Sequence, residues 1–479
     1  MRFCPAKAVT GLALATAFLL VACVAPPVKS TPTLRQLAPV EQNEAVAGAA
    51  VWPVADWWKT FGDPQLDELI GAALQGSPSL KTAQARIAAA DAASALAQAQ
   101  SGVQLAATAD ISRNQLSENG LISSRLLGFD WYSQADAALQ FQANLDWWGR
   151  QRSAITAAVD RGRAAEAEAA ASRLILITAI ASEYLSWQSD TARLDIAEQQ
   201  VSLFARWRDL QQLRSQQGLD DGLPLYQLDV ETDRARDAVL LREASRQRHR
   251  LAIAALAGVV PDELLLERTA TAIVPALDAP SDLGLGLIAR RPDIVASRWR
   301  VEAAVQNVDE VRAAYYPDLR LSALAGLSSL QLSKLADTGS QAASLGAALY
   351  LPIFDIRGLR AQYGVRKANL DSAVAAYDEV VVGAAQDVAT RMLDCKTLLG
   401  RRETMVQRLL AAEKVRLATE TRVSQGMDDR RSEITAQTQF LSTRDAALQI
   451  DAELALARLA LIQSLGGGLS DGLIRAPPA

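Results

Sequence analysis

The sequence contains few of the side chains on which catalytic and metal-binding sites are usually built. Its 479 residues include one histidine, His249, and three cysteines. One histidine argues against a histidine-based metal cluster or catalytic triad, and three cysteines cannot form the disulfide framework of a small secreted protein. The net charge is −5 and the pI is about 5.3, which gives no indication of nucleic-acid binding. We therefore expect neither an enzyme nor a cofactor or metal site.

Long apolar segments are also missing, since no run of about 18 apolar residues occurs after residue 23. We predict no transmembrane helix in the mature chain, so any membrane role must depend on lipid or on β-strands. Before that point, Arg2 and Lys7 precede an apolar stretch over residues 9–22, which is the pattern of an export signal. The stretch leads into LVAC, which resembles the lipobox of bacterial lipoproteins and implies cleavage before Cys23 and acylation of Cys23. The alternative is an ordinary signal with an incidental cysteine.

Glycine and proline are nearly absent from two long, neighbouring stretches. Residues 150–217 contain no proline and one glycine, Gly162, and residues 225–257 contain neither. The first stretch is rich in alanine, leucine, arginine, glutamate and glutamine, which are strong helix formers. At ~1.5 Å per residue it would form a helix of about 100 Å. The sequence therefore predicts two long antiparallel helices joined by the short turn between them.

The turn between these helices has a second copy. RSQQGLDDG at residues 214–222 and RVSQGMDDR at residues 422–430 are offset by 208 positions. In each copy a glycine, Gly218 or Gly426, permits the positive φ with which helices often end. Acidic residues that can cap the returning helix follow each glycine: Asp220, Asp221, Asp428 and Asp429. Each copy therefore predicts the tip of a helical hairpin.

Other segments repeat with a similar offset. RLAIAALAG at residues 250–258 matches RLALIQSLG at 458–466, and VQLAATADIS at 103–112 lies opposite PDLRLSALAG at 317–326. A duplication of roughly 200 residues explains these matches most simply. The predicted division is a lipoprotein signal peptide at 1–22, a lipidated N-terminal tether at 23–60, a first repeat at 61–265, a second repeat at 266–469 and a tail at 470–479. The hairpins occupy about 150–258 and 358–466, and their returning helices are predicted to begin at residues 225 and 427.

An alternating pattern separates the helical regions. ALQFQANLDW at residues 138–147 alternates apolar and polar side chains, which predicts a strand with one apolar face. ASLGAALYLPIF at 343–354 has the corresponding place in the second repeat. The predicted strand pairs span about 103–148 and 317–354. Strands of about ten residues with one apolar face fit a membrane barrel, but the smallest bacterial barrels have about eight strands. The chain must therefore oligomerise if these strands enter a bilayer.

Several motifs together resemble one protein family. The matching segments are WWKTFGDPQLDELIGAALQGSPSLKTAQAR at 57–86, LDWWGRQR at 145–152, RRPDIVASRWRVEAA at 290–304, AAYYPDLRLS at 313–322, LPIFD at 351–355 and LGGG at 465–468. They resemble the outer-membrane efflux channels of the TolC and OprM type, and in particular the NodT-like subgroup of RND efflux lipoproteins. The resemblance covers about residues 57–469.

The resemblance implies a mainly α-helical, internally duplicated fold with a β-barrel part. Three chains would form one homotrimeric tube, in which each contributes four strands to a twelve-stranded outer-membrane barrel. The long hairpins would form a periplasmic α-barrel tunnel with an equatorial band around it. The tube would perform no chemistry and would export drugs or other small molecules. Its partners would be a periplasmic adaptor, also called a membrane fusion protein, and an inner-membrane pump of the proton-driven RND type.

In this family the hairpin tips meet the adaptor and form the periplasmic gate. The resemblance therefore assigns docking and gating to Gly218, Asp220, Asp221, Gly426, Asp428, Asp429, Arg430 and Arg431. The sequence departs from the family six residues after each tip glycine, where an acid is usual and Pro224 and Ser432 stand here. One hypothesis is that an arginine of one tip pairs with an acid of a neighbouring tip and so holds the closed state.

Other functions stay open at this point. The chain could serve a type I protein secretion system, or it could be a lipidated periplasmic coiled-coil scaffold, although the alternating strands and the duplication argue against a scaffold. No catalytic constellation supports a secreted enzyme. GLGLIA at 284–289 fits a dinucleotide-binding motif but lacks the surrounding strand, turn and helix. For Cys395 the sequence favours ordinary packing in a helix. The tryptophan pairs at 57–58 and 147–148 could form interfacial belts, but because both pairs flank helices, the sequence favours ordinary packing near the equator.

Overall fold

The computed structural model describes residues 26–29, 31–34, 53–117, 128–219, 221–268, 290–352 and 355–468. Five of the predictions concern other residues: the signal peptide at 1–22, the acylation of Cys23, the role of Asp220, the motif at 284–289 and the tail at 470–479. They lie outside the described residues and stay predictions.

Long helices and four strands make up most of the described chain. In chain order they are α1 (Pro64–Gly76), α2 (Pro78–Gln100), β1 (Val103–Gln115), β2 (Trp131–Leu145), α3 (Arg150–Gln216), α4 (Leu223–Ala257), α5 (Pro292–Ala313), β3 (Asp318–Ser329), β4 (Gln341–Tyr350), α6 (Ile356–Ser424) and α7 (Arg430–Ser464). The succession of helix, two strands, long helix and returning helix therefore occurs twice, which agrees with the predicted internal duplication.

The two helical hairpins have nearly equal lengths. Helices α3 and α6 contain 67 and 69 residues, and the returning helices α4 and α7 contain 35 each. The sequence predicts that the returning helices begin at residues 225 and 427, but they begin at Leu223 and Arg430. The first starts earlier because the first turn of a helix tolerates a proline, and the second starts later because Asp429 caps it from outside. No helix in the described part of the chain combines the length and the apolar character that a membrane span requires.

Contacts divide the chain into two compact units, which are described separately. The first comprises residues 1–34, 87–164 and 297–377, and the second comprises 35–86, 165–296 and 378–479. The first unit contains all four strands, which form one antiparallel sheet in the order β1–β2–β3–β4. The pairing of β2 with β3, up to Leu145 opposite Leu319, joins the two strand pairs that the sequence predicts.

The strand register places apolar side chains along one face of the whole sheet. Leu105, Phe141, Ala323 and Leu345 lie side by side across the four strands. The next row, on the opposite face, consists of Gln104, Gln142, Ser322 and Gly346. Leu345 is 86% exposed, and Leu105 is exposed as well. Within the part of the chain that the structure describes, no core covers these apolar side chains.

A large apolar core stabilises the second unit. Trp57 and Trp58 are buried there together with Tyr184 and Ile253. The Tyr184 hydroxyl donates a hydrogen bond of 2.8 Å to Asp63, and Asp63 also accepts hydrogen bonds from two backbone N–H groups in the first turn of α1. The packing predicted for the first tryptophan pair is thus confirmed.

The other two packing predictions have different outcomes. Cys395 is buried in α6 against Val388 and Leu461, as the sequence predicts, and burial raises the pKa of its thiol. The prediction is wrong for Trp147, which is 67% exposed, and its neighbour Trp148 is half exposed. The exposed Trp147 indole at the end of a strand needs a reason other than packing within the chain.

Candidate functional site

The first hairpin turn ends helix α3 in a left-handed residue. Gly218 has φ of +70°, and its N–H donates to the Ser215 carbonyl at 3.0 Å. The N–H of Leu219 reaches back to the Arg214 carbonyl at 2.9 Å. These bonds satisfy carbonyls in the last turn of the helix, as in a Schellman ending.

The second hairpin turn repeats this geometry. Gly426 has φ of +71°, its N–H donates to Val423 at 3.0 Å, and the N–H of Met427 donates to Arg422 at 2.8 Å. A Cβ atom at Gly218 or Gly426 would have no atom within 4 Å. The positive φ, and not a lack of space, therefore requires glycine at both positions.

The returning helix α7 begins with a side-chain cap. The Asp429 carboxylate accepts hydrogen bonds from the backbone N–H and from the hydroxyl of Ser432, both at 2.9 Å. These bonds favour the charged form and lower the pKa of Asp429 below its usual value. Asp428 is not the cap: it forms an ion pair of 3.4 Å with Arg422 and accepts a hydrogen bond from the Asp429 N–H. The pKa of Asp428 is lowered too, first by the Ser432 hydroxyl.

The returning helix α4 begins differently. Its N-cap residue is Gly222, which offers no side chain, so Asp221 does not occupy the N-cap position. The Asp221 carboxylate instead accepts a hydrogen bond of 3.3 Å from the N–H of Leu223. Pro224 is the second residue of the helix and has no N–H that needs a partner. The two departures from the family pattern, Pro224 and Ser432, thus both lie in the first turn of a returning helix.

The two tip arginines have different surroundings. Arg430 forms an ion pair of 2.5 Å with Glu433 in its own helix. Arg431 lines a cavity of about 540 Å³ whose other walls come from the first hairpin and include Trp207, Pro224 and Glu231. Within the second unit, Arg431 is therefore the tip arginine that faces the neighbouring hairpin.

A buried ion pair that the sequence did not predict joins the two hairpins. The Arg193 guanidinium in α3 binds the Asp445 carboxylate in α7 through two hydrogen bonds of 2.7 and 2.8 Å, and it also donates to Gln449 at 3.1 Å. The Arg193 side chain is only 9% exposed. Its partner Asp445 is 252 positions away in the sequence, so no local sequence pattern predicts the ion pair.

The single histidine belongs to a neighbouring group of charges. His249 Nδ1 in α4 lies 2.6 Å from Glu183 in α3, and its Nε2 lies 3.6 Å from Asp190. Arg242 contacts Asp190 at 3.4 Å. Both imidazole nitrogens face carboxylates of α3, so the histidine holds the two helices of the first hairpin together.

The family described as outer membrane efflux protein matches residues 69–259 and 286–467. The chain belongs to the outer membrane efflux protein family. Each matched segment contains one complete hairpin, α3 with α4 or α6 with α7. Proteins of this family are components of transport systems.

Individual members of the family are similar to this chain over nearly its whole length. The multidrug resistance outer membrane protein MdtP of Escherichia coli (strain K12) is 31% identical over 428 residues, which are 88% of this chain and 88% of MdtP. The structure of the outer membrane protein VceC from Vibrio cholerae has 30% identity and a TM-score of 0.76, and it covers 87% of this chain and 100% of VceC. The CmeC outer membrane channel of Campylobacter jejuni is 19% identical with a TM-score of 0.83, over 94% of this chain and 96% of that one, which shows the shared fold.

These findings confirm the resemblance, the fold class and the outer-membrane location that the sequence predicts. The protein is an outer-membrane efflux channel. The roles of the individual tip residues and the boundaries of the repeats stay predictions.

Proposed function

We propose that three copies of the chain form one tube that exports small molecules, such as drugs, across the outer membrane. The continuous apolar face of the four-stranded sheet carries this proposal, because an exposed apolar sheet face suits lipid and the polar opposite face suits a water-filled lumen. Four strands leave two unpaired edges, and about eight strands are the fewest in bacterial barrels. Assembly of three chains would pair every edge and close a twelve-stranded barrel.

Two adjacent residues of β4 test this proposal. Leu345 belongs to the apolar face, and Ser344 points to the opposite face. We expect Leu345→Arg to prevent insertion, since a charge facing lipid costs about 2–4 kcal/mol near the bilayer midplane. Ser344→Arg should insert and change the conductance or ion selectivity of the channel in planar bilayers. Equal insertion by both variants would contradict the assignment of the faces.

The tube would work with two partners, a periplasmic adaptor and an inner-membrane RND pump. The name of the relative MdtP, a multidrug resistance outer membrane protein, supports small molecules as cargo over proteins. The test is dye or drug accumulation in cells that lack their own outer-membrane channel but keep an adaptor and an RND pump. Expression of this chain should lower accumulation. If it instead restores only the secretion of a protein by an ABC exporter, the type I alternative holds.

The hairpin tips would dock the adaptor and form the gate. Arg431 is the first candidate for pairing with an acid of a neighbouring tip in the closed state, because Arg430 already binds Glu433. Several exposed pairs would be needed, since each contributes only about 0–1 kcal/mol. Replacing both arginines by glutamine should raise single-channel conductance. Unchanged conductance would remove this gating hypothesis and leave the channel itself intact.

Acylation of Cys23 would anchor the same protein to the outer membrane through lipid. We expect Cys23→Ser to remove the acyl chains detected by mass spectrometry while the protein stays in the membrane through its strands. Release of the variant as a soluble protein would favour the periplasmic scaffold instead.

A further inference from the structure

A polar cavity lies in the first unit where strands β2 and β3 meet their helices. It has a volume of about 430 Å³. Its walls include three cationic side chains, Lys29, Arg152 and Arg312, and one carboxylate, Asp309. The lining therefore carries an excess of positive charge, which favours an anionic ligand.

The segment over residues 26–29 supplies one of these cations. Arg312 Nε in α5 donates to the Pro27 carbonyl at 2.9 Å, and Lys29 Nζ lies 3.3 Å from Asp309. Arg312 also lies 3.8 Å from Asp309. The segment is thus held on α5 by a backbone contact and an ion pair, and the Lys29 ammonium is positioned at the cavity.

Arg152 differs from the other two cations. It lies in the first turn of α3, and its backbone N–H donates to Asp146 at 2.9 Å. Among the described residues, its guanidinium forms no ion pair. Arg152 thus lines the cavity with a guanidinium of five N–H donors that has no anionic partner in the part of the chain that the structure describes.

Three aromatic side chains, Trp147, Trp148 and Tyr316, also line the cavity. Trp148 stacks on Tyr316 with ring centroids 4.3 Å apart and donates a hydrogen bond of 3.0 Å to the Pro317 carbonyl. Trp147 projects outward and is 67% exposed. Tryptophan and tyrosine are enriched at membrane–water interfaces because one part of each ring system is apolar and another is polar.

The position of the cavity relative to the ends of β2 and β3 indicates its depth in the proposed membrane. Leu145 and Leu319 form the last pair of the apolar face where β2 meets β3. Trp147 follows β2 by two residues, and Tyr316 precedes β3 by two. The apolar rows thus end and the aromatic and cationic side chains begin within a few residues, which is the order of groups across the edge of a bilayer.

We propose that this cavity binds the phosphate headgroup of a phospholipid in the leaflet that meets the helical side of the channel. The guanidinium of Arg152 would bind the phosphate oxygens, with Lys29 and Arg312 adding positive charge, and Trp147 would lie against the glycerol and upper acyl chains. The proposal rests on the proposed insertion of the sheet into the membrane. A soluble phosphate would gain nothing from the exposed indole, so a lipid is the ligand that uses all parts of the wall.

Lipid binding to the full, assembled protein in detergent tests the proposal. Dioleoyl phosphatidylglycerol would be titrated and its retention measured by native mass spectrometry. We expect Arg152→Gln to weaken binding by about tenfold, the effect of losing one charge-assisted hydrogen bond, and Arg152→Lys to restore part of it. Arg357→Gln is the matched control, because Arg357 is an exposed arginine in the first turn of α6 outside the cavity.

Glycerophosphoglycerol, the headgroup without acyl chains, separates a lipid from a soluble anion. Binding of the lipid with no binding of the headgroup at equal concentration supports the proposal. Equal binding of both, or equal lipid affinity of Arg152→Gln and Arg357→Gln, overturns it. Conductance of the same preparations in planar bilayers distinguishes the proposed channel function from the proposed lipid site. A conducting channel that does not bind the lipid would overturn this inference alone.

Discussion

The turn after α3 and the turn after α6 share their first half and differ in their second. Both end the long helix at a glycine with φ near +70° and with the same pair of backbone hydrogen bonds. The second turn then starts its returning helix with a carboxylate on the Ser432 N–H, whereas the first starts with Gly222 and a proline. The duplication has preserved the reversal of the chain and not the means of starting the next helix.

The difference follows from the unsatisfied N–H groups at the start of every helix. At α7 the side chain of Asp429 accepts one of them. At α4 the second residue is Pro224, which removes a donor and so lowers the number of N–H groups that need an acceptor. Ser432 and Pro224, each six residues after a tip glycine, therefore solve one problem in two ways: the Ser432 N–H is paired with a side chain, and Pro224 has no N–H.

The shared half of the turns should respond equally to substitution, and this is the largest effect we expect. Gly218→Ala and Gly426→Ala each force an alanine into the left-handed region, at a cost of about 1–2 kcal/mol. Hydrogen exchange of peptides that span each turn should accelerate by roughly 5- to 30-fold. Gly364→Ala is the control, because Gly364 lies within α6 with an ordinary φ and open space around it. A strong response at only one turn would break the equivalence.

The second halves should respond unequally. Asp429→Ala removes two hydrogen bonds of 2.9 Å to Ser432, whereas Asp221→Ala removes one of 3.3 Å to Leu223. We expect a clear increase of exchange at the start of α7 and a smaller one at the start of α4. Equal increases would mean that the carboxylates support the two helices to the same degree.

Acid should weaken the second turn through the same cap. The folded pKa of Asp429 lies below its usual value of 3.8, so the cap stabilises fully above that value and loses its effect as the pH falls through the lower folded pKa. Hydrogen exchange at the start of α7, corrected for the intrinsic pH dependence, should rise over that interval. The Asp429→Asn variant should show a smaller rise, since Asp428 still titrates in the same turn, and a rise of undiminished size in this variant would assign the effect to other groups.

The smallest effect concerns the Arg422–Asp428 ion pair of the second turn. The pair is 3.4 Å long, and Arg422 is largely exposed. Arg422→Gln should change exchange at the second turn slightly at low ionic strength, and the change should vanish in about 1 M salt because exposed pairs are screened. A change that persists in high salt would point to packing of the arginine stem instead.

The parts of the fold that sequence could predict are those with local causes. The absence of glycine and proline predicts α3 and α4, and the alternation over residues 138–147 predicts β2. The repeated turn identifies both tip glycines. The start of α4 is harder to predict, because an aspartate beside a helix start is a common cap. Only the backbone shows that Gly222 is the N-cap residue and that Pro224 lies in the first turn.

The parts that sequence could not predict depend on distant partners. Arg193 and Asp445 are 252 positions apart, and each looks like any other charge on a long helix. The exposure of Trp147 and the contact of Arg312 with Pro27 likewise follow from packing between segments far apart in sequence. None of these features leaves a periodic or regularly spaced pattern in the sequence from which it could be predicted.

Single-particle electron microscopy of the mature protein in detergent tests the central claim most directly. Three chains that close one barrel predict a long cylinder with threefold symmetry, one wide end and one tapered end at which the hairpin tips meet. A compact monomer or a flexible rod would contradict the assembled channel, and the exposed apolar face of the sheet would then require another partner.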